Sequence, residues 1–240
     1  MSDSEPPRRT KIICTIGPAS SNPKTLRAMI RAGLDVARLN FSHGAHEDHK
    51  TMFVALREAE AREEKPIAIL QDLQGPKIRL GKLDGEIELI AGTEIVLASS
   101  NDFVGDGRRL PTTYDRLARD VKPGEPILLA DGRLLLRVLS VEGDDVHCKV
   151  EEGGRISSSK GINLPGTETS IPSLTTRDLE DLEFGLRLGV DYVALSFVRG
   201  PYDVYAVRER MKALGREVPI IAKIEKPQAV DALEAIVDAS

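Results

Sequence analysis

Short apolar runs alternate with segments of helical periodicity over the first 75 residues. Asn22 and Gly33 suit the cap and the end of a first helix, and Met52, Leu56 and Ala59 recur at helical spacing in a second. The apolar runs that flank these helices lie in the stretches "KIICTIGPAS", "LDVARLN" and "KPIAILQDL". Continuously apolar strands that alternate with helices are typical of a parallel sheet wrapped by helices.

The pattern changes between residues 76 and 171, where no long helical period occurs. Short apolar segments are separated there by Gly, Asp, Asn and Pro, as in a small antiparallel β domain. These segments are "GEIELI", "TEIVLAS", "PILLA", "RLLLRVLSV" and "DVHCKVEEG". We therefore predict an all-β domain over 76–171, inserted after the third strand of the α/β domain.

Strands and helices alternate again from residue 172 to residue 240. Thr176 and the acidic residues after it suit a helix start. The runs "VDYVALSFV" and "VPIIAKIE" predict a fourth and a fifth strand, and "KPQAVDALEAIVDAS" predicts the opening of a further helix. The α/β domain is thus predicted in two parts, 1–75 with strands one to three and 172–240 with strands four and five.

Composition narrows the class of protein. The 240 residues are 41% hydrophobic and 30% charged, and no apolar run approaches the length of a membrane span. The polar start "MSDSEPPRRTK" and only two cysteines, Cys14 and Cys148, favour a cytoplasmic location. A net charge of -5 argues against a general nucleic-acid binder. A few converging cations can still bind a phosphorylated metabolite in an acidic protein.

Polar and ionised side chains follow the apolar residues at the ends of four predicted strands. The strand ends are 38–42, 71–75, 196–199 and 223–226. Because the carboxyl ends of parallel strands share one rim of a β/α barrel, these side chains are expected to converge. A site for an anion, and for a cation beside it, is the expected consequence.

Lys223 and Glu225 are one residue apart, so both side chains are predicted to project to the same side of the strand end. One interpretation is a structural salt bridge, which is the usual role of an isolated pair. The other is a carboxylate for a divalent metal beside an ammonium for a developing anion.

Several stretches together resemble pyruvate kinase, in order and at appropriate spacing. They are "TKIICTIGPAS", "AGLDVARLNFSHG", "LQDLQGPKIR", "SKGINLPG", "DYVALSFVR" and "IIAKIEKPQAV". The resemblance extends from Arg9 to the last residue, and "QDLQGPKIR" is closer to bacterial members of the family than to animal ones.

The resemblance implies an incomplete (β/α)₈ barrel of TIM type with a small β-barrel lid inserted after the third strand. It implies phosphoryl transfer from phosphoenolpyruvate to ADP, which gives pyruvate and ATP, with Mg²⁺ as cofactor. For a full-length relative it also implies a homotetramer. The net charge and the absence of a membrane-length apolar run already lead us to expect neither nucleic acid nor membrane as a partner.

The resemblance implies roles for individual residues as well. Arg38 would bind the substrate phosphate, Lys223 would hold the phosphoryl group and the enolate oxygen in the transition state, and Glu225 would be a Mg²⁺ ligand. Further contacts to the nucleotide are implied for Asn40, His43, Arg79 and Lys160. A monovalent-cation site is implied at Asn40, Ser42, Asp72 and the backbone carbonyl of Leu73.

Lys77 departs from the pattern of family members that require K⁺, which carry Glu at this position. Members with Lys there tend to work without the ion. We expect the Lys77 ammonium to replace K⁺ in the cation site; a surface lysine is the alternative.

His43, His46 and His49 are spaced by three residues, which suggests a transition-metal site. His46 and His49 fall in an acidic first helical turn, however, so solvated helix residues are the expected interpretation.

The family pattern continues beyond "EAIVDAS" with a "GD" motif that carries a second metal carboxylate. Two hypotheses follow: a pyruvate kinase whose recorded chain is incomplete and inactive alone, or a non-catalytic fragment or binding module that needs a complementary chain. Another phosphoenolpyruvate-using barrel, such as a lyase, is disfavoured because it would lack the inserted domain.

Overall fold

The computed structural model describes residues 9–167 and 169–240. The chain divides into two compact units. The first unit comprises the residues up to Gly75 together with Ser173–Ser240, and the second comprises Pro76–Pro172. Each unit is described separately below.

The first unit is an α/β structure built on one curled five-stranded sheet. Its strands are β1 (Ile13–Thr15), β2 (Val36–Asn40), β3 (Ala68–Asp72), β12 (Tyr192–Leu195) and β13 (Ile220–Ala222). They lie in the order β1-β2-β3-β12-β13, and every neighbouring pair is parallel. Its helices are α1 (Pro23–Ala32), α2 (His46–Glu63), α4 (Thr176–Leu188), α5 (Pro201–Ala213), α6 (Pro227–Asp231) and α7 (Leu233–Ala239).

Local sequence signals determine where the helices begin and end. Asn22 Oδ1 accepts a hydrogen bond from the Thr25 N–H at 2.9 Å, and Gly33 ends α1 with φ 114°. Helix α4 begins at the expected Thr176, but Thr175 provides the cap and forms a capping box with Asp178. In the described part of the chain, no helix is both long and apolar enough to span a membrane.

The last predicted helix is two helices in the structure. Ala232 lies between α6 and α7 with φ -102° and ψ 16°, which interrupts the helix. Alanine is the strongest helix former, so the local sequence carries no signal for this interruption.

The core of the first unit lies between the sheet and the helices. Ala37 and Leu39 of β2 share one apolar cluster with Leu26 of α1 and Leu56 of α2. Because side chains alternate along a strand, Arg38 and Asn40 of β2 project to the opposite face of the sheet. At β2 the helices therefore cover one face of the sheet, and polar side chains lie on the other.

The second unit is built mainly of strands. It contains β4 (Ile87–Leu89), β5 (Glu94–Ala98), β6 (Arg109–Pro111), the short helix α3 (Leu117–Asp120), β7 (Pro126–Leu129), β8 (Leu134–Glu142), β9 (Asp145–Glu152), β10 (Gly154–Ile156) and β11 (Ile162–Asn163). Six strands form a sheet in the order β11-β7-β8-β9-β5-β6, in which only the β5–β6 pair is parallel. Strands β4 and β10 form a separate antiparallel pair.

Residues 78–81 connect the two edges of the six-stranded sheet. The Leu80 N–H donates to the Lys160 carbonyl beside β11 at 2.8 Å, and the Gly81 N–H donates to the Pro111 carbonyl of β6 at 2.8 Å. The sheet thereby closes on itself around a separate apolar core, in which Leu136 and Cys148 are fully buried.

Candidate active site

Arg38 and Lys223 both bind the buried carboxylate of Asp72. The Arg38 Nε donates to Asp72 Oδ2 at 2.7 Å, and Nη2 of the same guanidinium lies 2.6 Å from that oxygen. The Lys223 Nζ donates to Asp72 Oδ1 at 3.1 Å. Asp72 ends β3, Arg38 lies in β2, and Lys223 follows β13, so three strands bring these charges to one rim of the sheet.

Ser196 and Glu225 complete the group around the lysine. The Lys223 Nζ donates to Ser196 Oγ at 2.7 Å and lies 3.6 Å from Glu225 Oε1. The Phe197 N–H donates to Glu225 Oε2 at 2.9 Å. Lys223 and Glu225 therefore form an ion pair within a larger polar cluster.

The exposed fractions of these side chains show which of them a ligand can contact. The Asp72 side chain is 3% exposed, whereas those of Arg38 and Lys223 are 30% and 28% exposed. The two cations are thus open to solvent, and the carboxylate that fixes them lies beneath. This arrangement suits recognition of an anion, because a guanidinium and an ammonium are held in place before it arrives.

A cavity of about 570 Å³ lies beside this cluster, within the first unit. Thr15 lines it and also accepts a hydrogen bond from Arg38 Nη1 at 2.6 Å, which connects the cavity to the cluster. Further lining residues include Gly17, Pro18, Asn40, His43 and Met52. The volume is in the range of small-molecule sites.

The four residues of the implied monovalent-cation site all lie at this rim. Asn40 and Asp72 are register partners in the β2–β3 pair. Asn40 Oδ1 accepts from the Ser42 N–H at 3.1 Å, and the Leu73 carbonyl accepts from Ser196 Oγ at 2.7 Å. Amide, carboxylate and carbonyl oxygens are the donors that hard cations prefer, so the chemistry of the set fits.

Lys77, Arg79 and Lys160 lie together in the second unit. Arg79 forms a β-bridge with Gly161, and its Nη1 donates to the Ser159 carbonyl at 3.1 Å. A Cβ atom at Gly161 would lie 3.7 Å from Lys77 Cε. The second unit therefore carries its own group of cations at the connection between residues 78–81 and the start of β11.

The family was identified by comparison with known proteins. A model described as "Pyruvate kinase, barrel domain" matches residues 7–240. The chain belongs to the pyruvate kinase family. It is 49% identical over 230 residues to the pyruvate kinase of Corynebacterium efficiens, an alignment that covers 96% of this chain and 48% of the relative. Against the Mycobacterium tuberculosis enzyme it is 50% identical over 230 residues, covering 96% and 49%.

A more distant pyruvate kinase, from Staphylococcus aureus, is 41% identical over 236 residues, covering 97% of this chain and 40% of the relative. The chain thus spans about half the length of the curated relatives it matches. The resemblance seen in the sequence motifs is confirmed at the level of the pyruvate kinase family.

The expectation that the histidines are solvated helix residues is wrong for His49. This side chain is buried and stacks on Phe41 at 3.9 Å between ring centroids, and burial lowers the pKa of its imidazole. His46 stacks on Phe184 and contacts Asp181 at 2.5 Å. Over residues 9–167 and 169–240, no three His, Cys, Asp or Glu side chains form a group that could hold a metal ion.

Sequence reasoning placed Ser196 at the rim without giving it an individual role, and it did not single out Thr15. Thr15 could have been found by the same signal, since each of the two is a hydroxyl residue at the end of a strand. Their contacts to Arg38 and Lys223 depend on how neighbouring strands are placed, which the pattern along one strand does not show.

Proposed function

We propose that the protein carrying this chain transfers the phosphoryl group of phosphoenolpyruvate to ADP, giving pyruvate and ATP. One observation supports this most directly: Arg38 and Lys223, from different strands, are held together on the buried carboxylate of Asp72. Phosphoryl transfer mainly needs positioned groups and neutralised charge. Two fixed cations at the rim of a parallel sheet meet that need.

Arg38 and Lys223 have different tasks in this proposal. The planar guanidinium of Arg38 can bind two phosphate oxygens of phosphoenolpyruvate at once. The Lys223 ammonium is a compact charge, which can stabilise both the phosphoryl group in transfer and the enolate oxygen left behind. Protonation of the enolate at C3 then gives pyruvate.

Glu225 is proposed as a ligand of Mg²⁺. Its side chain is 38% exposed and its oxygens are hard donors, which fits this ion. Mg²⁺ is commonly held by one or two carboxylates together with substrate phosphates. When bound, the ion would neutralise charge that develops on the transferred group.

Asn40 and His43 are proposed to contact ADP from the cavity beside Arg38. Arg79 and Lys160 of the second unit are proposed to bind its phosphates. Residues 76–171 would then act as a lid that excludes water from the reaction, which limits hydrolysis of the phosphoryl group. The boundaries 1–75 and 172–240 for the two parts of the barrel domain belong to the same proposal.

Lys77 is proposed to replace K⁺ at the site of Asn40, Ser42, Asp72 and Leu73. The measurement is pyruvate formation by the protein that carries this chain, in K⁺-free buffer and after addition of KCl. We expect activity without K⁺ and little activation by the salt. A large activation by KCl, absent with NaCl, would contradict the proposal.

Binding of phosphoenolpyruvate to the 240-residue chain in the presence of Mg²⁺, measured by calorimetry, tests the main proposal. Arg38→Ala and Lys223→Met should each weaken binding by roughly 10- to 100-fold, because each removes a hydrogen-bonding cation. Lys24→Met is the matched control, since Lys24 is an exposed cation of α1 in the same unit. Equal binding by all four proteins would contradict the proposal.

A binding module that needs a complementary chain is the second candidate. It is favoured by exposed apolar side chains at the end of the first unit: Val230 and Val237 are 62% and 63% exposed. Under this alternative, the chain would associate with a partner but would bind neither phosphoenolpyruvate nor ADP.

A further inference from the structure

We propose that Ser196 is a positioning residue that holds the Lys223 ammonium in place for the reaction. This inference depends on the proposed function, because it concerns the lysine assigned to the transferred phosphoryl group. Ser196 follows β12, and its side chain is almost fully buried between the ends of β3 and β13.

The distances around Ser196 favour one position for the single proton of its hydroxyl group. Its Oγ lies 2.7 Å from the Leu73 carbonyl and 3.5 Å from Asp72 Oδ1; both oxygens accept, and the hydroxyl donates its proton to the nearer one, the Leu73 carbonyl. The Lys223 Nζ lies 2.7 Å from the same Oγ and can only donate. In its two short hydrogen bonds the hydroxyl therefore donates to a backbone carbonyl at the β3 end and accepts from the ammonium.

Ser196 differs in charge from the other partners of Lys223. Asp72 and Glu225 are carboxylates, which neutralise the ammonium as they bind it. The hydroxyl is neutral and makes the shortest of these contacts. It can therefore fix the position of the nitrogen while leaving its positive charge for an anion.

The backbone around Ser196 is tightly packed. A Cβ atom at Gly75 would lie 3.0 Å from Ser196 Cβ and 3.2 Å from the Ser196 carbonyl oxygen. Phe197, the next residue, has φ 56°, in the left-handed region that is rare for aromatic residues. This conformation directs the Phe197 N–H to Glu225 Oε2, so the same corner contacts both proposed functional side chains.

Proton–nitrogen NMR of the lysine ammonium groups, recorded on the 240-residue chain, tests the inference without a need for activity. A held ammonium exchanges its protons slowly and gives an observable signal, which Lys223→Arg would assign by its loss. We expect Ser196→Ala to shift and broaden the Lys223 signal. Ser196→Thr, which keeps the hydroxyl, should retain it.

Ser99→Ala is the matched control. Ser99 is also buried and its Oγ also makes a hydrogen bond, from the Ala118 N–H at 2.9 Å in the second unit. The inference is overturned if Ser196→Ala leaves the Lys223 signal unchanged, or if the unsubstituted chain gives no such signal.

Phosphoenolpyruvate binding then separates this inference from the proposed function. If the unsubstituted chain binds phosphoenolpyruvate, Ser196→Ala should weaken that binding by roughly 10-fold, as expected for one lost hydrogen bond to a charged group, and Ser196→Thr should restore it. If the unsubstituted chain does not bind phosphoenolpyruvate, the proposed function fails, while the Lys223 signal still shows whether Ser196 holds the ammonium.

Discussion

The two units differ in whether the edge strands of their sheets are paired. In the second unit, residues 78–81 pair with both edges of the six-stranded sheet. In the first unit, β1 and β13 each pair with one neighbour among the described residues, and Ile13 and Ile221 on them are 53% and 38% exposed. Exposed apolar side chains continue through α6 and α7. The second unit thus satisfies its own edges, whereas the first presents surface suited to further packing.

Producing the two units separately should have the largest effect on folding and self-association. We expect residues 76–172 alone to fold as a monomer with a cooperative thermal transition, because the closed sheet surrounds its own core. We expect residues 9–75 joined to 173–240 by a Gly–Ser linker to associate through the open edges. Circular dichroism and light scattering after size-exclusion chromatography measure both outcomes. A monomeric first unit and an aggregating second unit would reverse the comparison.

Substitutions at the centre of each unit should act on that unit alone. Asp72→Ala leaves Arg38 and Lys223 without their shared carboxylate, and we expect a loss of about 3 kcal/mol in the free energy of unfolding of the first unit. This is the low end of the range for a broken buried ion pair, because the two cations are partly exposed. Leu136→Ala removes a fully buried side chain from the second unit and should cost about 2–5 kcal/mol there.

Scanning calorimetry measures both variants, and the isolated second unit assigns its transition. Glu47→Ala is the control for a charge substitution in the first unit, since Glu47 is 79% exposed and its pair with Lys50 should contribute little. If Asp72→Ala and Leu136→Ala shift both transitions equally, the units do not unfold independently.

Titratable groups give the units opposite sensitivities to pH. Burial raises the pKa of the Cys148 thiol from 9.0 to about 12 and, together with Asp120, the pKa of Tyr114 from 10.0 to about 12. Above pH 9 the unfolded chain releases protons that the folded second unit retains, so its stability should fall as pH rises. Burial lowers the pKa of His49 below 6.5, so the first unit should lose stability as pH falls below that value.

Unfolding by urea at a series of pH values measures this difference. Cys148→Ala and Tyr114→Phe should flatten the alkaline dependence of the second unit, and His49→Gln should flatten the acid dependence of the first. If the profiles keep their slopes in these variants, other groups control the response to pH.

Features set by neighbouring residues were predictable from the sequence. The start and end of α1 follow from Asn22 and Gly33, and polar strand ends predicted a shared rim at which Arg38 and Lys223 now meet. Features set by distant residues were not. The burial of His49 depends on stacking with Phe41, and the attachment of both cations to Asp72 depends on the order of three strands.

The smallest change in stability should come from the exposed apolar residues themselves. Val230→Lys and Val237→Lys place charges on α6 and α7, where the native side chains are 62% and 63% exposed. Each substitution should change the free energy of unfolding by less than about 0.5 kcal/mol, because little buried contact is lost. Both should reduce self-association of the chain in sedimentation velocity. Ile90→Lys is the matched control in the second unit, where Ile90 is 65% exposed. If Ile90→Lys reduces association as much as the two valine variants, then exposure alone, and not the open first unit, drives association.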